Sequence, residues 1–199
     1  VLNIPGEHQI TALFEQIRGT RLEIPVLLAV IVPARRSEIC GLSLDDLHGD
    51  ILHIHRAMVY GAGNQLILKD YPKTDKSNRE ILLPQYVADL IRARGVICDY
   101  TPGGLSRAFT YLLHKCGMDH CRLHDLRHSF VSIAHAQHMP DAYIQERGGW
   151  STDFVMKNVY RHTFDDVRTA EQQKINQAFV SLIPKDKKSP PDAHTDNRG

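Results

Sequence analysis

The chain has 199 residues, 42% of them hydrophobic and 24% charged, which suits one substantial soluble core and excludes a low-complexity or fibrous polypeptide. With 24 Lys plus Arg against 23 Asp plus Glu, the net charge of +1 does not by itself point to a nucleic-acid partner. The longest apolar run, "IPVLLAVIVP", is proline-bounded and far short of the ~20 residues of a membrane-spanning helix. The start, "VLNIPGEHQI", has neither an initiator Met nor a basic-then-apolar leader and reads as the start of a fragment. Cys40, Cys98, Cys116 and Cys121 have no disulfide-framework rhythm and read as reduced thiols of a cytoplasmic protein.

In chain order, Ile10, Leu13, Phe14 and Ile17 recur at helical spacing and predict a helix over 8–18. A second, apolar helix is expected over 22–31, with Pro25 tolerated in its first turn and Pro33 ending it. A short third helix follows at "RRSEICGL". From 49 to 84 the chain turns β-rich, with "GAGN" and "KTDKSN" as turn compositions, and predicts a small antiparallel sheet of about three strands. Helices are then expected over 85–94, 103–116, 122–138, 141–147, 152–160 and 165–182. The end, "PKDKKSPPDAHTDNRG", is proline-rich and charged without an apolar anchor, the composition of a disordered tail. The fold class is therefore α+β, mainly α-helical with a small antiparallel three-stranded sheet. One domain is expected over 1–183, with a disordered tail over 184–199.

The stretch "LHDLRHSF" places His124 and Arg127 three residues apart, so that both can reach one ligand from one helix face. An arginine fork matches two phosphate oxygens, and a neighbouring imidazole can bond a third or move a proton. In "ARRSE", Arg35 precedes Glu38 by three positions, a spacing at which a carboxylate can orient a guanidinium. "PKTDKSN" puts Lys73 in a turn between strands, and "GGWSTDFVMKNVYRH" supplies the indole donor Trp150 and, ten residues on, the candidate nucleophile Tyr160. Each residue alone has a plainer reading: a solvated lysine, a core tryptophan, a packed tyrosine. A metal reading competes, since "CGMDHCRLHDLRH" offers Cys116, His120, Cys121, His124 and His128, without the usual ~12-residue finger separation.

Together and in this order, these boxes resemble the tyrosine recombinases, the phage-integrase type of site-specific recombinase, over about 8–162. The resemblance implies the tyrosine recombinase catalytic-domain fold and a catalytic set of Arg35, Lys73, His124, Arg127, Trp150 and Tyr160. In that set Arg35 and Arg127 grip the phosphate, Lys73 protonates the leaving 5′ oxygen, His124 bonds the phosphate or moves a proton, and Trp150 donates its N–H. Tyr160 is the nucleophile and Glu38 holds the arginine box.

No cofactor or metal is implied. The implied partners are double-stranded DNA attachment sites of a phage or mobile element, bound as a homotetramer by a chain that is monomeric when free, with room for an accessory directionality factor. Ile175, Phe179, Leu182 and Ile183 would form a helix face that docks on a neighbouring protomer. The sequence departs from the pattern at Pro33 and Ala34, where members usually have Thr-Gly, and the N-terminal DNA-clamping domain is not in this chain. Two other readings compete: a type IB topoisomerase-like DNA enzyme, and a non-catalytic zinc-stabilised DNA-binding module.

Overall fold

The computed structural model describes residues 3–72 and 75–150. Helix α1 (Glu7–Ile17) buries Ile10, Leu13 and Ile17, the helical stripe of the sequence, and its start is fixed by Gln9, whose side chain accepts the Gly6 N–H at 2.9 Å. Helix α2 (Glu23–Ile31) is buried on all sides and forms the centre of the core. Its first residue, Glu23, is buried as well, and is held by the Gly19 N–H, Tyr86 and Arg94 at 2.8, 3.1 and 3.1 Å. A buried carboxylate needs such partners to offset its desolvation. Helix α3 (Arg36–Gly41) is a single short segment with Arg35 at its N-cap.

The strands are β1 (Leu47–His48), β2 (Ile51–Ile54), β3 (Arg56–Tyr60), β4 (Leu66–Asp70) and β5 (Arg79–Leu82). They form a three-stranded antiparallel sheet in the order β1-β2-β5, with Leu52 opposite Ile81 and Ile54 opposite Arg79. A second, two-stranded sheet pairs β3 with β4. The run that reads as one strand, "ILHIHRAMVY", divides at His55 because its alternation slips. Leu52 and Ile54 face the core in one phase, and Ala57 takes it up in the other. The segment carrying Lys73 consequently joins β4 of one sheet to β5 of the other, instead of closing a hairpin within a single sheet.

Helices α4 (Gln85–Arg94), α5 (Pro102–Lys115), α6 (Asp125–Ala136) and α7 (Asp141–Gly148) complete the described residues. Their ends follow capping rules: Gly95 and Gly149 close α4 and α7 in the left-handed conformation, and Thr101 accepts the Gly104 N–H ahead of Pro102 in the first turn of α5. Helix α6 begins at Asp125 and not at 122, because the Asp125 carboxylate accepts the Arg122 N–H at 2.8 Å and holds 122–124 outside the helix. The main core runs from α1 through α2, β2, β5, α4 and α5 to the start of α6. Val131, Ala134, Ile144 and Trp150 form a smaller cluster between α6 and α7. The helices expected over 152–160 and 165–182, the tail over 184–199 and the protomer-docking face lie outside the described residues.

Candidate active site

Arg35, Glu38, Arg79 and Arg127 come from three parts of the fold and meet beside Gly148–Trp150. Glu38, in the first turn of α3, is fully buried. Its Oε2 accepts the Arg35 backbone N–H at 2.7 Å, which is half of a capping box, and its Oε1 accepts Arg35 Nη1 at 2.7 Å. Arg79, on the first residue of β5, donates Nη1 and Nη2 to the same carboxylate at 3.3 and 3.0 Å. Tyr71 donates its hydroxyl to Oε1 at 3.3 Å. Burial would raise the Glu38 carboxyl, but Arg79 and Arg35 overcome it and hold the group below the usual carboxylate range.

Arg127, on the first turn of α6, is 2% exposed. Its Nη1 donates to the Pro33 carbonyl, its Nη2 donates to the Gly148 carbonyl at 3.0 Å, and its guanidinium carbon lies 4.9 Å from the centre of the Trp150 ring. Nη1 is 3.9 Å from Glu38 Oε2, too long for a hydrogen bond, and the buried Nε has no hydrogen-bond partner among the described residues. Burial lowers the Arg127 pKa to about 9; Glu38 opposes that shift, and Arg35 and Arg79 add to it. At neutral pH the group remains charged, held in an environment that lacks a full counter-charge. Three guanidiniums share one carboxylate.

Arg35 is the exposed member of the set, its side chain 35% accessible. Besides Glu38 it donates to Ser77 Oγ at 3.0 Å and to the Gly149 carbonyl at 3.3 Å. It therefore ties α3 to the segment before β5 and to the end of α7. The backbone carbonyls of Pro33, Gly148 and Gly149 fix the guanidiniums without neutralising them.

His124 sits at the N-cap of α6 with its ring edge-on to His128, centroids 5.4 Å apart. Partial burial of the ring, with Arg127 and His128 nearby, brings its pKa down to about 4, although the residue keeps an exposed edge. Of the residues singled out from sequence, the structure brings together Arg35, Glu38, Arg127 and Trp150, with His124 one turn before Arg127; Lys73 and Tyr160 lie outside the described residues. The zinc alternative needs Cys116, His120, Cys121, His124 and His128 to converge. Among the described residues, no three His, Cys, Asp or Glu side chains are grouped so as to hold a metal ion.

No family model matches the chain. An integrase of Saccharopolyspora erythraea is 34% identical over 68 residues, which is 34% of this chain and 15% of that protein. A XerC-like tyrosine recombinase of Caldanaerobacter subterraneus is 20% identical over an alignment of 211 positions, covering 88% of this chain and 54% of the relative. The fold matches that of the Tn1549 transposon integrase, solved with transposon right end DNA, at a TM-score of 0.71 and 19% identity, over 88% of this chain and 67% of that one. The chain has the fold of the tyrosine recombinase catalytic domain. It spans about half the length of the XerC-like relative and less of the integrase.

Within this tyrosine recombinase catalytic fold, Arg79 and Tyr71 are the members of the cluster that motif reading missed. Arg79 had a signal: along β5 the buried positions are 79 and 81, so a charged residue occupies the apolar phase of a strand. A buried arginine on such a phase must have a carboxylate partner somewhere in the fold. Tyr71 gave no comparable sign, because its contact with Glu38 depends on how β4 lies against α3.

Proposed function

We propose that this chain is the catalytic part of a site-specific DNA recombinase that cuts and rejoins DNA by transesterification, for integration or excision of a phage or mobile element. In this reading Tyr160 attacks the scissile phosphate, forming a 3′-phosphotyrosine and releasing a 5′ hydroxyl. The phosphodiester bond is exchanged for another, so nucleotide hydrolysis is not needed. Arg35 and Arg127 hold the phosphate, Lys73 gives a proton to the departing 5′ oxygen, and His124 and Trp150 complete the set of donors. Double-stranded DNA is the substrate, and the working assembly on it is a homotetramer.

The observation that carries the reading is the excess of guanidinium over carboxylate around Glu38 among the described residues, with the Arg127 Nε, which has no hydrogen-bond partner among them, buried behind it. A phosphate dianion-like transition state supplies the missing charge, and donors already held by backbone carbonyls need little reorganisation to meet it. Such help is needed, because a tyrosine with an ordinary pKa near ~10 is short of phenolate by roughly 4 kcal/mol at pH 7. Arg35 presents the accessible face.

The test is covalent capture. The chain, and a version joined to an N-terminal DNA-gripping domain, are mixed in EDTA with nicked duplexes spanning the element's end junction, then denatured and run on a gel. The expected result is a protein–DNA adduct that Tyr160→Phe abolishes, with the modified peptide mapping to Tyr160. No adduct from the version with that domain on its proper junction overturns the reading in favour of a binding module, and an adduct that survives Tyr160→Phe overturns Tyr160 as the nucleophile.

A further inference from the structure

Two of the four thiols are neighbours. Cys40, buried on α3, and Cys98, half-buried in the segment between α4 and α5, lie with their sulfurs 3.9 Å apart and share a hydrogen bond. They are separated by 58 positions in sequence, so only the fold brings them together. We propose that Cys40 and Cys98 are a modification site, a thiol pair that a hydroperoxide closes to an intramolecular disulfide. The inference is independent of the DNA reading.

The surroundings assign different roles to the two sulfurs. The hydrogen bond with Cys40 lowers the Cys98 thiol against the opposing effect of burial, the Tyr100 backbone lowers it further, and the neighbouring Asp99 and Arg21 charges act in opposite senses. The same hydrogen bond, with burial, pushes Cys40 up. Cys98 is also the less buried residue of the two. It attacks first: the Cys98 thiolate takes one oxygen from the peroxide, becomes a sulfenic acid, and releases hydroxide that is protonated to water. Cys40 then attacks the sulfenic sulfur, forming the S–S bond and losing a second water. The two thiols are oxidised and one peroxide is reduced to two waters.

A disulfide requires a sulfur separation of ~2.05 Å, so the pair must close by roughly 2 Å. Helix α3 has little room to move, because the Gly41 backbone is packed on β3: a Cβ there would sit 3.0 Å from the Met58 nitrogen. The segment between α4 and α5 carries the displacement. The bond would staple that segment to the helix that carries Glu38 and has Arg35 at its N-cap.

The experiment treats the folded 199-residue chain with dilute hydrogen peroxide, blocks remaining thiols with N-ethylmaleimide, and maps peptides before and after dithiothreitol. The expected product is a Cys40–Cys98 linked peptide that dithiothreitol reverses, formed about tenfold faster than any oxidation at the half-buried Cys116. In Cys40→Ser, dimedone captures a sulfenic acid at Cys98. In Cys98→Ser, Cys40 stays unlabelled. Linkage through Cys116 or Cys121, a linked peptide that appears only in urea, or dimedone capture at Cys40 instead of Cys98 overturns the proposal.

Discussion

Glu38→Gln tests whether one buried carboxylate holds the cluster together. The substitution conserves shape, but it removes the negative charge that Arg35, Arg79 and Arg127 surround at 2.7, 3.0 and 3.9 Å. It also places an amide N–H where an oxygen now accepts from a donor, orphaning at least one hydrogen bond at a cost of about 1–3 kcal/mol. Leaving buried charges without their partner raises the total to about 3–5 kcal/mol. Against a typical stability of ~5–15 kcal/mol that is a large fraction, and it corresponds to a fall in Tm on the order of 10 °C for a domain of this size. Urea denaturation followed by circular dichroism measures it. The pH dependence gives an independent check. Because the Glu38 carboxyl is held below its unfolded value, its contribution is complete above the unfolded pKa and is lost as pH falls through the folded one. The parent should therefore lose stability below about pH 4.5 more steeply than Glu38→Gln. A variant that unfolds within ~1 kcal/mol of the parent, with the same acid slope, refutes the claim that Glu38 is the counter-ion of the site.

Two further outcomes follow from the same geometry. In Gly148→Ala the new Cβ would fall 2.0 Å from the Trp150 ring, so the ring must leave Arg127; since Trp150 is the single tryptophan, its fluorescence should shift to the red, and an unchanged emission maximum would show that the ring does not lie over Gly148. His124, with its pKa lowered to about 4, should titrate there in the NMR spectrum of the imidazole protons and not near the ordinary value. A His pKa below its unfolded value means that the unfolded chain binds the proton first, so stability falls as pH drops from ~6.5 towards 4, and His124→Asn should flatten that slope; a His124 midpoint near ~6.5 would remove the argument.

How much of this was legible in the sequence depends on the range of the interactions involved. Ile10, Leu13 and Ile17 announce α1 because local spacing alone decides which face is buried. Arg35 and Glu38 were legible for the same reason: a carboxylate three residues after an N-cap bonds the cap backbone in any helix start. The strand region was read as one sheet, and the slip of phase at His55 that divides it was visible in "LHIHRAM" only as a spacing of three between Ile54 and Ala57. The cover that Gly148 and Trp150 form over Arg127 had no local signature, since it depends on where α7 ends relative to α6.

The cluster also explains why motif spacing and stability point in different directions here. A fold selected for stability alone would match each buried guanidinium with a carboxylate, or replace it with an apolar side chain of similar volume. This one instead gives Arg127 two carbonyl oxygens, an aromatic face and a share of Glu38 at 3.9 Å, and leaves its Nε without a partner among the described residues. Carbonyl oxygens fix direction and leave the charge in place, so the residual positive potential is aimed where Arg35 reaches solvent. In the proposed function, an incoming phosphate would gain from that potential what the free protein forgoes, which is the trade expected of a preorganised anion site.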